Sequence, residues 1–476
     1  MSYRAGKVLT LGGDSNIVER LQTSGPGSLN IPTGRIGETG NELTVSVERD
    51  IPDLSYDLKS YAMDLSTEAM ICRRDVNAMA DGDILTFADA KPLDLIAPIK
   101  GAGSSKTSVR GVIWPYLTLE SAAYRFGVGQ NSTQTFTFRG DSQYGVMGTP
   151  YAKEFDFDDV PTFTFDHTAV KTVEVGADVY AYNVTIYYAD GACKRLYHGH
   201  DYSNTSGGFT ILDPSIAAAG DMVAVVYGSA TSATFPQTIH STASMLPGAI
   251  KGKHINVYVG TAPIRTFSAT TANADATLTA AGGAFTSADV GAAISGTNIP
   301  AGTVIGAVTD GTHIELADAN GDPVLATGSG TITATLAPQL VRWRGVQSIE
   351  LTWRVQLEVD DELGNIHHVG WDYDVPELSG TISVKPEDPE YLFDLWQQVG
   401  GAADGETANL TADVPLEVRV TIKHPKTGAV LKTFRVQDAR IQPPAHQARA
   451  KQKFETSFPF SSDSGLLEIA KGAWAA

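Results

Sequence analysis

Several places in the chain bring together side chains that could do chemistry. Near the N-terminus the apolar run Leu9-Thr10-Leu11 leads into Gly12-Gly13-Asp14-Ser15, a turn able to present a nucleophilic serine. Such a serine needs an imidazole oriented by a carboxylate. Its spacing occurs only as Asp310-Gly-Thr-His313, in a Gly-rich segment that reads as a hairpin turn. His198-Gly-His200-Asp201 gathers two imidazoles and a carboxylate, but no further ligand pattern completes a metal site. Asp318-Ala-Asn-Gly-Asp322 begins like a calcium loop and lacks the later glutamate. His367-His368 follows the turn Gly364-Asn365. Short polar side chains closing their own turns explain these motifs more simply. The sequence therefore predicts no enzyme, metal or cofactor.

The elements that would have to position such groups are also wrong for catalysis. Gly13-Asp14-Ser15 resembles the nucleophile turn of GDSL-type hydrolases, yet the alternating βαβ pattern that would seat Ser15 is missing. The chain has 476 residues, room for about three domains at ~150 residues each. Its 47 glycines lean towards β-structure and turns. Fifty-four acids against 35 Lys and Arg give a net charge of -19, a field that repels phosphate and disfavours non-specific nucleic-acid binding. Cys72 and Cys193 form no metal or disulfide framework. No signal-peptide core or membrane-length run is present, so the expectation is a soluble protein made in a cytosol.

One pattern occurs twice. Thr44 to Leu58, TVSVERDIPDLSYDL, aligns without a gap on Thr381 to Leu395, TISVKPEDPEYLFDL, with Thr44/Thr381, Val47/Val384, Pro52/Pro389 and Leu58/Leu395 among the identities. Each copy reads as a half-buried strand, a Pro-acid loop and a helix start, with Leu54, Leu58 and Tyr61 on the first helix. A second echo follows. Gln134 to Ser142 carries Phe136 and Phe138 before Asp-Ser, and Thr456 to Ser464 carries Phe458 and Phe460 before Asp-Ser. Strand-like stretches precede both, Gly111 to Leu117 and Val430 to Val436. Strand, helix, strands and Phe-x-Phe strand thus recur in one order, the mark of duplication.

Two segments of another character lie between the copies. From Tyr151 to His240, runs such as Asp178 to Tyr188 and Asp221 to Tyr227 read as a small β-sandwich. From Ser268 to Leu336 the chain is poor in charge, rich in Ala, Thr and Gly, and punctuated by tight turns. This second module splits His254–Val259 from Leu340–Arg344, which read as neighbouring strands. Charge is also segregated. Asp360, Asp361, Glu362 and Asp372 form an acidic block, while Lys423, Arg435 and Arg440 belong to a basic one. Such blocks predict complementary faces between subunits.

The repeated run Thr44–Leu58 with Phe136–Ser142, and Thr381–Leu395 with Phe458–Ser464, resembles the tail tube proteins of long-tailed bacteriophages. Phe285 to Thr303 is similar to β-modules found in phage tails. The resemblance implies a mainly β fold of two tandem tail-tube-like β-sandwich or barrel repeats, each with one helix, plus two small all-β, Ig-like inserted modules. Repeat one takes 1–150, the first module 151–240, repeat two 241–267 with 337–476, and the second module 268–336. It further implies rings of three subunits mimicking hexamers, stacked into a tube whose acidic lumen passes DNA without binding it. The implied partners are further copies of the chain, a tape-measure protein, tail-terminator proteins and host-surface glycan, with no membrane insertion. Asp81 to Arg110 is the expected stacking segment. The implied location is the virion tail, assembled in the host bacterial cytoplasm. The competing reading is a glycan-binding adhesin or a minor baseplate or tail protein in which the β-modules do the work.

Overall fold

The computed structural model describes residues falling mainly within 21–30, 33–36, 46–49, 52–100, 109–156, 171–229, 250–360, 370–400, 415–447 and 454–474, with short gaps in several of these stretches. The fold is mainly β, built from antiparallel sheets. Strands are numbered here only outside the two modules. The first half contains β1 (Leu21–Asn30), the hairpin β2 (Thr33–Ile36) and β3 (Ser46–Arg49), β4 (Asp53–Ser60), α1 (Ser66–Ile71), β5 (Ile84–Thr86), β6 (Leu93–Lys100), β7 (Val109–Gly127), β8 (Thr133–Gly140) and β9 (Tyr144–Val146). The second contains β10 (Ile255–Thr261), β11 (Gln339–Arg342), β12 (Val346–Arg354), the hairpin β13 (Leu357–Asp360) and β14 (Gly370–Tyr373), and β15 (Glu377–Val384). It continues with α2 (Pro389–Gly400), β16 (Pro415–Lys423), β17 (Val430–Ile441), β18 (Ala445–Gln447), β19 (Glu455–Ser462) and β20 (Leu467–Lys471).

The halves pair their strands alike. The first runs β1-β4-β8-β7, the second β12-β15-β19 and then β17 with β18. Phe136 and Phe138 lie opposite Leu58 and Tyr56, while Phe458 and Phe460 lie opposite Ile382 and Gly380. Even the irregularities correspond. Register slips between Leu21 and Thr23 in β1 and between Val346 and Ser348 in β12. It slips again between Leu93 and Leu95 in β6 and between Leu416 and Val418 in β16. The long strands β7 and β17 each pass from one layer to the other at a residue of positive φ, Tyr116 at 52° and Asp438 at 50°. A non-glycine residue tolerates that conformation only at a local cost, so its recurrence marks a required bend.

The Phe-x-Phe echo therefore aligns in register, but the gapless alignment does not. Thr44 lies outside the described residues, Val47 sits in hairpin strand β3, and Pro52 precedes β4. Leu54 and Leu58 are on a strand, not a helix. The segment Asp53-Leu-Ser-Tyr-Asp-Leu-Lys-Ser60 satisfies period two as well as a helical spacing. It buries Leu54, Tyr56 and Leu58 and pairs with β8 over seven rungs. Cross-strand partners decide such ambiguous runs. The matching strand in the second half is Glu377–Val384, which contains Thr381 and Val384. There the helix does follow the predicted Pro-Glu-Asp-Pro: Pro389 opens α2, Asp388 accepts the Tyr391 N–H at 2.7 Å, and Leu395 is buried. Gly380, where the first half has Tyr56, is required by packing: a Cβ there would lie 2.4 Å from the Phe460 ring and 2.5 Å from the Glu350 carbonyl.

One core joins both halves, including Tyr56, Tyr124, Phe136, Phe434, Phe458 and Trp353. Residues 149–229 form a module of a four-stranded and a three-stranded sheet around Val184, Phe209 and Val225. Residues 265–336 form a six-stranded sheet around Leu278, Ile305 and Ile332, entered between β10 and β11, which are antiparallel neighbours.

Candidate functional site

The structure's most informative place is the seam between the halves. Seven rungs pair Ser121–Gly127 of β7 with Ser348–Arg354 of β12. Eight strands thereby run as one sheet, β1-β4-β8-β7-β12-β15-β19-β18. Its inner face is mainly apolar, with Ser60, Gln134 and Thr456 as buried polar exceptions. The outer face carries hydroxyls such as Thr135, Thr137, Thr352 and Ser379, with Asp53, Asp57, Glu350, Glu377 and Glu455 among Lys59, Arg125, Arg139 and Arg354. Arg125 meets Glu350 across the seam at 3.7 Å, and Arg139 meets Asp53 at 2.9 Å. Exposed pairs of this kind contribute ~0.2–1 kcal/mol each.

A buried network locks the seam from behind. Glu68 on α1 and Lys432 on β17 form an ion pair, both with 0 % exposure. Lys432 also donates to the Asp64 carbonyl at 3.0 Å and to Gln134 Oε1 at 3.3 Å, and its ammonium lies 5.1 Å from the Phe434 ring centre. The Tyr124 hydroxyl donates to Glu68 at 2.9 Å. Burial first, and then the Glu68 carboxylate, push the Tyr124 phenol well above its ordinary pKa. A charge so placed is tolerable because Lys432 and the Tyr124 hydroxyl both answer Glu68 Oε1, while Oε2 is buried and finds no hydrogen-bond partner among the described residues. Beyond it, β5 adds itself to β20, and Lys471 donates to the carbonyls of Val76 and Met79 at 2.8 and 2.6 Å. Part of the expected stacking segment 81–110 is therefore committed to sheet structure as β5 and β6, while 101–108 lie outside the described residues.

The ends of the sheet are open among the described residues. β1 pairs along one edge with β4, and β18 pairs along one edge with β19. The helices differ in the same sense. On α1, Thr67, Glu68, Ala69 and Ile71 are buried, whereas Tyr391, Leu392, Phe393 and Trp396 of α2 are only half-buried.

A second clamp fastens the 149–229 module to the first half. Arg195 donates from one nitrogen to both oxygens of Asp141, at 2.9 and 2.7 Å, and from another to Ser142 Oγ at 3.0 Å. Asn183 receives a bond from Arg195 Nε at 3.1 Å and donates to Asp94 at 3.0 Å. The Tyr116 N–H also donates to Asp94, at 2.9 Å. Burial nevertheless pushes Asp94 up to about 6. Asp94 sits in the β6 register slip, where the second half has buried Glu417, held by Arg419 and Arg435.

The basic block expected to face another subunit is largely used within the chain. Arg435 is buried and bonds Glu417 and Glu468 at 3.1 Å each, Arg440 pairs with Asp463, and Lys423 ends β16 half-buried. Asp360 and Asp372 lie on the β13–β14 hairpin; Asp361 and Glu362 lie outside the described residues. The candidate chemical motifs close turns. Asp310 accepts from the Thr312 and His313 N–H groups, at 2.7 and 2.9 Å, and the His313 side-chain bond holds its carboxyl below the usual range. Asp318 accepts the Asp322 N–H at 3.0 Å. His200 contacts Asp201, which accepts the Tyr197 N–H. Gly13–Ser15 and His367–His368 lie outside the described residues. No group of three or more His, Cys, Asp or Glu side chains suited to a metal occurs among the described residues.

The Glu68–Lys432 and Asp94–Arg195 networks escaped sequence reasoning, because each joins residues far apart in the chain. The one signal was the Asp-Ser turn, since Asp141-Ser142 is the part of the clamp supplied by the repeated motif. No protein-family model matches the chain, and no curated protein matches its sequence.

Proposed function

We propose that the chain is a structural subunit of a phage tail tube in which each copy fills two adjacent positions of a ring. The observation that carries this reading is the β7–β12 seam. It joins the last strand of one four-strand unit to the first strand of the next, and the same two kinds of edge stand open at β18 and β1 among the described residues. An unpaired edge is a template for another chain, and closure into a barrel removes it. Such a head-to-tail contact closes a ring when the rotation per unit is right. Three copies of eight strands would complete a barrel with six pseudo-equivalent seats.

Register follows from the correspondence of the halves. Gly25 of β1 holds the place of Glu350, and Gln447 of β18 holds that of Arg125. Gly25 of one copy should therefore face Gln447 of the next. The half-buried face of α2 would be covered by the next copy, as α1 is covered within the chain. The hydroxyl-rich outer face, with a slight excess of carboxylates and with Arg125 and Arg139 paired to acids, would line a conduit past which DNA slides without sticking. Tape-measure and terminator proteins would act at the bore and the end of the tube, and the modules would project outward, with host-surface glycan as their suggested contact. This reading assigns no catalytic activity and places the protein in the virion.

End-on electron microscopy of the purified protein tests it. Rings or tubes with threefold projections about a sixfold-looking centre are expected. Oxidation of the Gly25→Cys/Gln447→Cys variant should give closed covalent trimers. Compact monomers under all assembly conditions, with no inter-chain cross-link, would overturn the reading in favour of the adhesin.

A further inference from the structure

One cluster in the core holds the parts of an acyl-transfer reaction. Among the described residues Lys432 is the one buried lysine, and its amine donates both to Glu68 and, at 3.3 Å, to the side-chain carbonyl of Gln134. Lys432, Glu68 and Gln134 are each 0 % exposed, and they come from three elements, β17, α1 and β8. Aromatic rings close the site. The Lys432 nitrogen lies 5.3 Å from the ring centre of Tyr124 and 5.1 Å from that of Phe434, and Phe136 packs edge-on against Tyr124. An amine, a carboxamide and a carboxylate shut away from water are the nucleophile, acyl donor and proton carrier of an amide exchange.

The carboxamide is oriented for that exchange. Gln134 Nε2 donates to Ser60 Oγ at 3.1 Å and to Thr67 Oγ1 at 3.3 Å. Both hydroxyls belong to fully buried residues, and they leave the carbonyl end of the amide turned to the lysine. Glu68 spends Oε1 on Lys432 and the Tyr124 hydroxyl, while Oε2 has no competing hydrogen bond among the described residues. Desolvation penalises an ion pair in so apolar a place. Passing one proton from the ammonium to the carboxylate relieves that penalty and leaves a neutral, nucleophilic amine.

We propose that Lys432 and Gln134 join in an intramolecular isopeptide bond, with Glu68 as the acid–base catalyst. Lys432 Nζ gives a proton to Glu68 and attacks Gln134 Cδ, so that a C–N bond forms and the carbonyl electron pair moves to Oε1. Glu68 then gives its proton to Nε2 and takes a second one from Nζ. The Cδ–Nε2 bond breaks, the carbonyl re-forms and one ammonia leaves. No oxidant or further reactant is consumed. The ion pair described above is the state that precedes the bond. The product ties β8 of the first half to β17 of the second across 298 positions of sequence, adding a covalent lock behind the seam. The inference concerns a single chain and stands apart from the ring reading.

Mass spectrometry of the purified full chain under denaturing conditions, followed by a digest, tests it. The wild type should be lighter than its sequence by one ammonia, and the digest should yield a branched peptide joining Gln134 to Lys432. Glu68→Gln removes the proton carrier and should slow cross-linking by roughly 100-fold or more. Gln134→Asn draws the acyl carbon away from the amine by one methylene and should keep the unmodified mass. The wild-type measurement decides the question whether or not a variant folds. Recovery of Lys432 and Gln134 in separate, unmodified peptides would overturn the inference. So would loss of water with Lys432 joined to Glu68, or an ammonia loss traced to an asparagine imide elsewhere. Full cross-linking in a folded Glu68→Gln protein would remove Glu68 from the reaction.

Discussion

Helices α1 and α2 follow corresponding strands, β4 and β15, and lead towards corresponding strands, β6 and β16. Yet α1 is closed into the core, with Glu68 paired to Lys432 of the other half, while α2 keeps Tyr391, Leu392, Phe393 and Trp396 half in solvent. The difference is one of place. α1 stands at a seam already made inside the chain, whereas the first turn of α2 reaches the backbone of Arg344, through the Tyr391 hydroxyl, and leaves its aromatic face half exposed. One molecule thus displays both the finished contact and the unfinished one.

The comparison breaks most sharply at Lys432. Lys432→Met leaves Glu68 buried and unpaired, and should cost ~3–5 kcal/mol in denaturant unfolding. Adding Glu68→Leu should recover most of that loss. A loss under about 1 kcal/mol for the single variant would mean the seam is not locked there.

Gly380 tests the opposite side of the comparison. A methyl group at this position meets both Phe460 and a backbone carbonyl. Gly380→Ala should therefore lower stability by ~1–3 kcal/mol through overpacking, measurable as a fall in the denaturant midpoint. No change in the midpoint would show that the second half repacks as loosely as a surface.

Asp94 distinguishes the half that carries a clamped module. Its folded pKa, about 6, is raised above the ordinary carboxyl value of 3.8. The sign is therefore that of a group whose contribution is greatest below 3.8 and is lost as pH rises through about 6. Relative to Asp94→Asn, the wild type should gain up to about 3 kcal/mol as pH falls from 7 to below 4. Parallel pH profiles for the two proteins would place the titration elsewhere.

The smallest effect is expected on α2. Phe393→Glu should change the stability of the dilute, isolated chain by only about 0.5 kcal/mol. It should nonetheless reduce ring formation, because the same face would be buried on assembly. Equal loss in both measurements would make α2 an ordinary core helix.

Where contacts are local or strictly periodic, the sequence was readable. Phe136 and Phe138 match Phe458 and Phe460 rung for rung, because a strand facing a core must alternate and its partner must supply apolar groups opposite. Pro-Glu-Asp-Pro announced α2 through its cap. Leu54 and Leu58 were misread because Asp53–Ser60 obeys two periods at once, and only pairing with β8 separates them. The basic block misled for a related reason. Arg435 looked like a surface cation until Glu417 and Glu468, brought beside it by sheet pairing, took one terminal nitrogen each.

By itself the sequence determined that this chain is mainly β, that its core-facing phenylalanines recur, and where helix α2 begins. These are properties of neighbours along the chain and of simple periods. Only the tertiary structure decided that β7 and β12 share an edge, that Lys432 reaches Glu68, and that β1 and β18 each keep an unpaired edge among the described residues. Those facts depend on which distant strands meet. The free energy of meeting comes from backbone hydrogen bonds and buried area that no local pattern records.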